Sequence, residues 1–231
     1  MSTTVGFRVH RNIVRPEKEL IESFRGIPSS NINDEMNRLY CMSAAIKPYN
    51  DVTSMVGSAF TVKAPVGDNL MIHKAMDLAK PGDILVVDGA GSLDRSLMGE
   101  MMVTFAEKKG LAGIVIDGAL RDVDGISTNP MPVYAKGVNP QGPYKNGPGE
   151  IGCPVCCGGI VVFPGDILVG DKDGIVVIRP ADAPDVLKCA KAKFENESEK
   201  LEKYACSGAD EEQHATRIEK ALDGKGLVYV E

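Results

Sequence analysis

An arginine and two acids in this chain are spaced so that they could handle a small anion together with a metal ion. Arg121 and Asp122 are adjacent and follow the apolar run 114–116, which predicts a strand that ends just before them. Glu100 lies earlier, directly after Gly99, where a helix is predicted to begin. Arginine is a permanently charged, forked donor that suits carboxylates, and aspartate is a hard oxygen ligand for Mg²⁺ or Mn²⁺. The combination predicts small-acid chemistry rather than a binding module.

The reaction that these residues could support together is cleavage of a 2-oxo acid. A metal ion held by Asp122 would bind the carbonyl and carboxylate oxygens of the substrate. Arg121 and the helix start at Gly99 would offset the charge of a developing pyruvate enolate. A water of the metal site, positioned by Glu100, is the candidate proton acceptor. Each residue alone also has an ordinary interpretation: Glu100 as a capping carboxylate, Arg121 as an ion-pair partner, and Asp122 as a turn residue.

Three further polar residues are weaker candidates. His73 lies on a predicted helix, where a partly buried structural histidine is the more common case. Lys145 and Glu150 lie in the Gly- and Pro-rich stretch 139–152, which predicts a loop that is functional or mobile. Dinucleotide-binding, Walker and nucleophile-elbow motifs are absent from the sequence. The role of these three residues is left open by the sequence.

Bulk composition restricts the class of protein. The 231 residues carry a net charge of -6, which disfavours a nucleic-acid partner. No apolar run reaches the roughly 20 residues that span a bilayer, so neither a membrane partner nor a secretory route is expected and we predict a cytoplasmic protein. The six cysteines are expected to be buried free thiols, because the single CxxC spacing at Cys153 and Cys156 lacks a second pair for zinc.

Hydrophobic periodicity predicts alternating helices and strands. The predicted helices cover residues 17–26, 29–39, 68–79, 98–109, 183–206 and 210–223, and the predicted strands cover 56–63, 83–88, 113–117 and 133–136. The segment 227–230 is predicted as a short strand or a docking tail. The phrase Pro-Gly-Asp followed by an apolar run occurs at 81–88 and again at 164–169, which predicts that one turn-to-strand unit is used twice in a β-rich domain.

The sequence resembles the RraA-like family from about residue 27 to residue 199, which is most of the chain. The specific part of the likeness is an acid, twenty intervening residues and then Arg-Asp, here Glu100, Arg121 and Asp122. Other matching stretches are Gly99-Glu100, Asp117-Gly118, Pro132 to Gly137, Cys157-Gly158-Gly159, Pro164-Gly165-Asp166 and Gly170 to Gly174. The family includes divalent-metal-dependent aldolases for 4-hydroxy-4-methyl-2-oxoglutarate and 4-carboxy-4-hydroxy-2-oxoadipate, which also decarboxylate oxaloacetate. It also includes a non-catalytic protein regulator of a ribonuclease.

The resemblance implies a fold and an assembly. The fold is α/β, a β-rich αββα sandwich of the swivelling phosphohistidine-domain type with C-terminal helices. It would form a single domain over residues 1–231, with 181–231 as a helical extension that contacts a neighbouring subunit. The assembly would be a homotrimer or a homohexamer.

The resemblance also implies roles for individual residues. Gly99, Glu100, Met101 and Met102 would bind the substrate together with Arg121, with Arg121 and Glu100 catalytic. Asp122 would be the direct ligand of Mg²⁺ or Mn²⁺. One acid among Glu195, Glu197 and Glu199 would complete the site of a neighbouring subunit. A metal-dependent lyase acting on a small 2-oxo acid is therefore our prediction, with the ribonuclease regulator as the alternative.

Overall fold

In the computed structural model, which describes residues 3–208 and 210–230, short strands alternate with helices along the chain. The strands are β1 (Phe7–Val9), β2 (Lys47–Pro48), β3 (Met55–Lys63), β4 (Asp83–Asp88), β5 (Ser96–Met98), β6 (Gly113–Leu120), β7 (Val133–Val138), β8 (Gly149–Ile151), β9 (Val155–Cys157), β10 (Ile160–Val162), β11 (Ile167–Asp171) and β12 (Gly174–Ile178). The helices are α1 (Lys18–Glu22), α2 (Ser29–Glu35), α3 (Leu70–Leu78), α4 (Glu100–Lys108), α5 (Val123–Ser127), α6 (Ala183–Ser207) and α7 (Glu211–Leu222).

Ten of the strands form one mixed sheet. Its main path runs β1-β8-β3-β4-β6-β7-β2, with β11 and β12 attached beside β3 and β5 attached beside β6; β9 and β10 form a separate hairpin. The central strands β3, β4, β6 and β7 are parallel to one another, so their carboxyl ends lie along one edge. Ligands in α/β proteins commonly bind beyond that edge. The predicted α/β class with a large sheet and C-terminal helices is confirmed.

Both faces of the central strands are buried, which explains their nearly continuous apolar sequences. In β4, Leu85 and Val87 pack on one face with α3 and α4, and Ile84 and Val86 pack on the opposite face with the β9–β10 hairpin. A third apolar cluster lies between α1, α2 and the β11–β12 pair. Alternate residues therefore supply two cores, and the sheet is a rigid platform for whatever lies at its carboxyl edge.

The repeated Pro-Gly-Asp phrase does form the same unit twice, as predicted. Asp83 begins β4 and Asp166 directly precedes β11, and both side chains are buried. Each carboxylate accepts a backbone N–H from three residues earlier and also pairs with an arginine, Arg15 for Asp83 and Arg179 for Asp166. Because a buried carboxylate needs such partners, we assign both aspartates of the repeat a structural role and not a catalytic one.

Several predicted element bounds need correction. Helix α2 ends at Glu35 because Asn37 and Arg38 adopt left-handed backbone conformations that no helix can include. The predicted serine caps are also wrong: the residue before α2 is Pro28, and Ser29 binds the Asp171 carboxylate instead. Strand β6 continues past the predicted end to Leu120, so Arg121 follows the sheet directly.

The chain divides into two compact units, Met1–Lys191 and Ala192–Glu231. The first contains the sheet and its three apolar clusters. In the second, α7 has no buried residue, and residues 227–230 have no regular secondary structure. Contact of residues 181–231 with a neighbouring subunit stays a prediction. Within the described residues, every helix is too short or too polar to cross a bilayer.

The expectation of buried thiols is wrong for most of the cysteines. Cys157 is buried, as expected for a residue inside the core of the sheet. Cys41, Cys156, Cys189 and Cys206 are exposed, and Cys153 is intermediate. All six are free. In β9, side chains alternate between the two faces, so Cys156 faces outward between the buried Val155 and Cys157.

Glu150 attaches the N-terminal strand to the sheet. It lies in β8, which pairs with β1, and its carboxylate accepts hydrogen bonds from the Gly6 N–H at 2.9 Å and from the Arg8 guanidinium at 2.8 and 2.9 Å. The pKa of this carboxyl lies below its usual value. The main cause is the hydrogen bond from the Gly6 N–H, and the second is the hydrogen bond from Arg8. This position gives Glu150 a structural role, and it is not one of the residues that line the cavity described below.

We expect Glu150→Gln to lower thermal stability by a few degrees near pH 7. Because the folded pKa is depressed, the stabilisation is present above the unfolded pKa and is lost as the pH falls through the folded pKa. The melting temperatures of wild type and variant should therefore converge below about pH 4. Melting curves across that range, followed by circular dichroism, test this; a constant difference at every pH would contradict it.

Candidate active site

The Arg-Asp pair and the acid that precedes it are brought together by the path of the chain through β5 and β6. Strand β5 runs parallel beside the end of β6 and leads into α4. The Arg121 N–H donates to the Met98 carbonyl at 3.0 Å, and the Glu100 N–H donates to Asp122 Oδ2 at 3.3 Å. The predicted juxtaposition of the start of α4 with Arg121 and Asp122 is therefore present in the structure.

Asp122 is held in an unusual backbone conformation. Its φ of 62° and ψ of 41° lie in the left-handed region, which aspartate enters more readily than most residues. It precedes α5, yet its side chain turns toward the start of α4 and toward Arg121, whose Nε lies 3.5 Å from Oδ2. The carboxylate is thus oriented by one cation and by the positive end of a helix, and 45% of its side chain stays exposed for a ligand.

Two glycines make room for this pair. A Cβ atom at Gly99 would overlap Asp122 Oδ2 and would lie 3.2 Å from Arg121 Nε. A Cβ atom at Gly142 would lie 2.9 Å from the Nη1 atom of Arg121. Neither glycine has a positive φ, so the requirement at both positions is space rather than backbone freedom. The guanidinium therefore lies in a cradle between the start of α4 and the loop 139–148.

We expect Gly99→Ala to reduce catalysis by about 100-fold, because a displacement of about 1 Å in a catalytic group costs that much. The backbone at Gly99 is extended, so the fold should survive and only Asp122 should move. Measuring kcat/KM for pyruvate release together with a thermal melt separates the two effects. Thr104→Ala is the control, since Thr104 is exposed on the same helix and does not line the cavity. Equal losses in both variants would contradict the expectation.

A cavity of about 240 Å³ opens beside the Arg121–Asp122 pair. Five of the six predicted site residues line it: Gly99, Met101, Met102, Arg121 and Asp122. The first turn of α4 runs along the cavity, so the positive end of that helix faces any anion bound there. The cavity therefore combines an arginine, a carboxylate and a helix start at the carboxyl edge of the sheet.

Glu100 is the sixth predicted residue, and its side chain takes a different direction. Its carboxylate lies against Gly125 of α5, so closely that a Cβ atom there would overlap it. Glu100 is exposed and does not line the cavity. Its backbone N–H orients Asp122, which is a contribution that the sequence did not reveal. A catalytic role for its carboxylate stays a prediction.

Hydrogen bonds anchor the loop 139–148 at both ends, to β5 and to the turn that precedes α3. The buried Asp68 carboxylate accepts the N–H groups of Asn146 at 2.6 Å and of Gly147 at 3.0 Å. Ser96 donates from its backbone N–H and its hydroxyl to the Gln141 carbonyl at 2.8 and 3.0 Å. These bonds hold Lys145 at the wall of the cavity. Sequence reasoning missed Asp68, although an aspartate just before a helix is a typical capping signal.

Two polar residues of the α3 region also line the cavity, and only one of them was singled out from the sequence. Asn69 is 2% exposed, and its Nδ2 donates to the Leu97 carbonyl at 2.9 Å. His73 follows one helical turn later, and its N–H donates to the Asn69 carbonyl. The pKa of His73 is lowered, mainly by burial of the ring and secondly by the charge of Lys145. The imidazole is therefore neutral at pH 7. Asn69 is one of the residues that periodicity could not identify.

The C-terminal acids lie in the second compact unit. Glu195, Glu197 and Glu199 are on α6 and are exposed, with Glu197 3.9 Å from Lys193. Participation of any of them in a neighbouring subunit's site stays a prediction.

The donor set at the cavity fits a hard divalent cation. Among the described residues, no group of three His, Cys, Asp or Glu side chains is arranged to hold a metal, so Asp122 would act with few protein ligands. Mg²⁺ commonly binds through one or two carboxylates and completes its octahedron with waters and substrate oxygens. The missing Cβ atom at Gly99 leaves room for Asp122 Oδ2 beside the start of α4, and 45% of the Asp122 side chain stays exposed for a ligand.

Comparison with known proteins gives one consistent result. The sequence model of the RraA-like family, described as "Aldolase/RraA", matches residues 29–177. A Halalkalibacterium halodurans protein named "Putative 4-hydroxy-4-methyl-2-oxoglutarate aldolase" is 39% identical over 177 residues, which are 77% of this chain and 84% of that protein. An uncharacterized protein from Pseudomonas syringae has the same fold, with a TM-score of 0.77 at 24% identity over 86% of this chain and 98% of its own. The "RNA-processing inhibitor RraA" of Thermus thermophilis aligns with a TM-score of 0.61 at 28% identity, over 65% and 92%.

Proposed function

The chain belongs to the RraA-like family, and we propose that within it the protein is a divalent-metal-dependent aldolase. The substrates would be 4-hydroxy-4-methyl-2-oxoglutarate or 4-carboxy-4-hydroxy-2-oxoadipate, with oxaloacetate decarboxylation as a second activity of the same site. The observation that carries the proposal is the position of Arg121 and Asp122 at one cavity, oriented by the start of α4. Relatives with aldolase names support the lyase class.

The cavity suits a 2-oxo acid with a second carboxylate. Arg121 can bind the carboxylate next to the keto group with two parallel N–H donors. Lys145 lines the same cavity and offers a second cation for the other end of the substrate. Two cations on the wall favour a dianion over a monocarboxylate.

The chemistry of both reactions passes through the same enolate. Loss of the C4 hydroxyl proton and cleavage of the C3–C4 bond leave the electron pair on C3, delocalised onto the C2 oxygen; loss of CO₂ from oxaloacetate leaves the same species. A divalent cation supplies Lewis-acid stabilisation of that charge when bound. Arg121 binds the adjacent carboxylate and, together with the positive end of α4, stabilises the negative charge that develops on the C2 oxygen. Protonation of C3 then gives pyruvate.

The experiment is release of pyruvate by the purified protein from 4-hydroxy-4-methyl-2-oxoglutarate and from oxaloacetate, with Mg²⁺ or Mn²⁺ and with chelator. We expect turnover of both substrates in the presence of metal and its loss with chelator. If the protein turns over neither substrate, the proposed function is refuted.

A protein-binding regulator of RNA decay is the second candidate, favoured by the likeness to the Thermus inhibitor. Binding of a ribonuclease that is unaffected by chelator, in a protein without lyase activity, would support it. Binding of a ribonuclease does not require an exposed aspartate beside Arg121 at a cavity, whereas the proposed aldolase does.

A trimeric or hexameric assembly is part of the proposal. Next to the cavity, α3 and α4 expose an apolar groove that contains Leu70, Met101 and Phe105, and Met101 is 88% exposed. Contiguous apolar surface of this kind is typical of subunit interfaces. Sedimentation equilibrium would test the assembly, with a monomer at micromolar concentration as the contradicting result.

A further inference from the structure

Two residues that line the active-site cavity each carry a buried polar atom without a hydrogen-bond partner in the described part of the chain. Asn69 Oδ1 and His73 Nε2 are both buried, and neither has a hydrogen-bond partner among the described residues. Both residues line the cavity that contains Arg121 and Asp122. Buried polar atoms are almost always paired, so two unpaired atoms one helical turn apart require an explanation.

The surroundings of Asn69 fix its Oδ1 as an acceptor, whereas His73 Nε2 can accept or donate, depending on which ring nitrogen carries the proton. The Asn69 Nδ2 donates to the Leu97 carbonyl, which can only accept, so Oδ1 must be the atom on the other side of the amide. The neutral imidazole of His73 has one donor and one acceptor nitrogen, and Nε2 accepts when the proton is on Nδ1. A bound carboxylate would be repelled by Asn69 Oδ1, whereas a hydroxyl can donate to Oδ1 and can also pair with His73 Nε2 in either tautomer.

We propose that Asn69 and His73 bind the C4 hydroxyl group of a 4-hydroxy-2-oxo acid. A hydroxyl can donate to Asn69 Oδ1 and still accept a hydrogen bond from Lys145, which lines the same cavity. This assignment rests on the proposed aldolase function and adds the recognition of the half of the substrate that Arg121 does not touch. It makes Asn69 and His73 specificity-determining residues.

One side chain must yield for this contact. Both unpaired atoms are shielded from solvent. Met102 contacts the same Asn69 amide, with its Sδ atom 3.5 Å from the Nδ2 donor. Met102 lines the cavity as well, and methionine changes rotamer at little cost. The substrate would displace this thioether and supply the missing donor.

The two activities of the proposed enzyme separate this role from a structural one. A 4-hydroxy-2-oxo acid carries the hydroxyl, and oxaloacetate in its keto form does not. We expect His73→Ala and Asn69→Ala to lower kcat/KM for 4-hydroxy-4-methyl-2-oxoglutarate roughly tenfold or more, because a site built for a hydroxyl loses its discrimination when its acceptors are removed. The kcat/KM for oxaloacetate should change by less than about threefold, since the lost acceptors have no partner on that substrate.

The matched control is Lys74→Ala, an exposed position on the same helix whose side chain pairs with Asp77 at 3.5 Å. It should leave the ratio of the two activities unchanged. Proportional loss of both activities in the His73 and Asn69 variants, or no loss in either, would overturn this assignment while leaving the aldolase proposal intact. A wild-type protein that turns over neither substrate would overturn both.

Discussion

Replacing Asp122 by alanine should abolish metal-dependent pyruvate release while leaving the protein folded. Metal polarisation of the substrate oxygens contributes several kcal/mol to the transition state, so the expected loss in kcat/KM is roughly 100-fold or more. The fold should tolerate the change because the Asp122 side chain is 45% exposed and lies outside the three apolar clusters. Steady-state kinetics at saturating Mn²⁺, with a parallel thermal melt, measure both quantities.

Asp124→Ala is the matched control for this variant. Asp124 lies in the first turn of the same short helix but does not line the cavity. Its removal should change kcat/KM by less than about threefold, as expected for a surface charge. Full metal-dependent activity in Asp122→Ala would contradict the assigned metal ligand.

Replacing Arg121 by lysine should reduce kcat about 100-fold or more, even though the positive charge is kept. Lysine is a point charge and cannot make two parallel hydrogen bonds to a carboxylate. Its flexible chain also leaves the cradle between Gly99 and Gly142 that holds the planar guanidinium. Arg95→Lys is the comparison, because Arg95 binds the Gly142 carbonyl and stacks on Tyr144 without lining the cavity.

The kinetic pattern distinguishes two uses of Arg121. A loss in kcat and in kcat/KM together indicates that the guanidinium stabilises the transition state, which is the expected result. An increase in KM with an unchanged kcat would indicate binding of the ground state alone and would contradict the proposed role. Activity in Arg121→Lys close to that of wild type would exclude the bidentate contact.

The sequence was sufficient for the central strands because their apolar runs and turn residues agree. The Pro-Gly-Asp phrase located β4 and β11 correctly, since the buried aspartates enforce the turn that precedes each strand. Tertiary contacts decided the rest. Strand β8 lies in a segment that reads as a loop, and it forms because Glu150 binds the backbone and side chain of the N-terminal segment, a partner far away in the sequence.

The site could be predicted in part for a similar reason. Arg121, Asp122 and the start of α4 were identified because each follows a local signal, the end of a strand or a glycine before a helix. The direction of the Glu100 side chain depends on the absence of a Cβ atom at Gly125, which no local pattern reveals. Asn69 gives no local signal, and the position of the unpaired Asn69 and His73 atoms at the cavity depends on tertiary contacts.

The most direct test of the metal-dependent aldolase assignment is a metal titration of chelator-treated protein with 4-hydroxy-4-methyl-2-oxoglutarate as substrate. Wild-type protein should recover pyruvate release along a saturable Mn²⁺ curve, and Asp122→Asn, which keeps the size of the side chain, should not. Metal affinity measured by calorimetry on the same samples should fall in parallel. Pyruvate release that is independent of metal, or a complete absence of release at saturating Mn²⁺, would contradict the account.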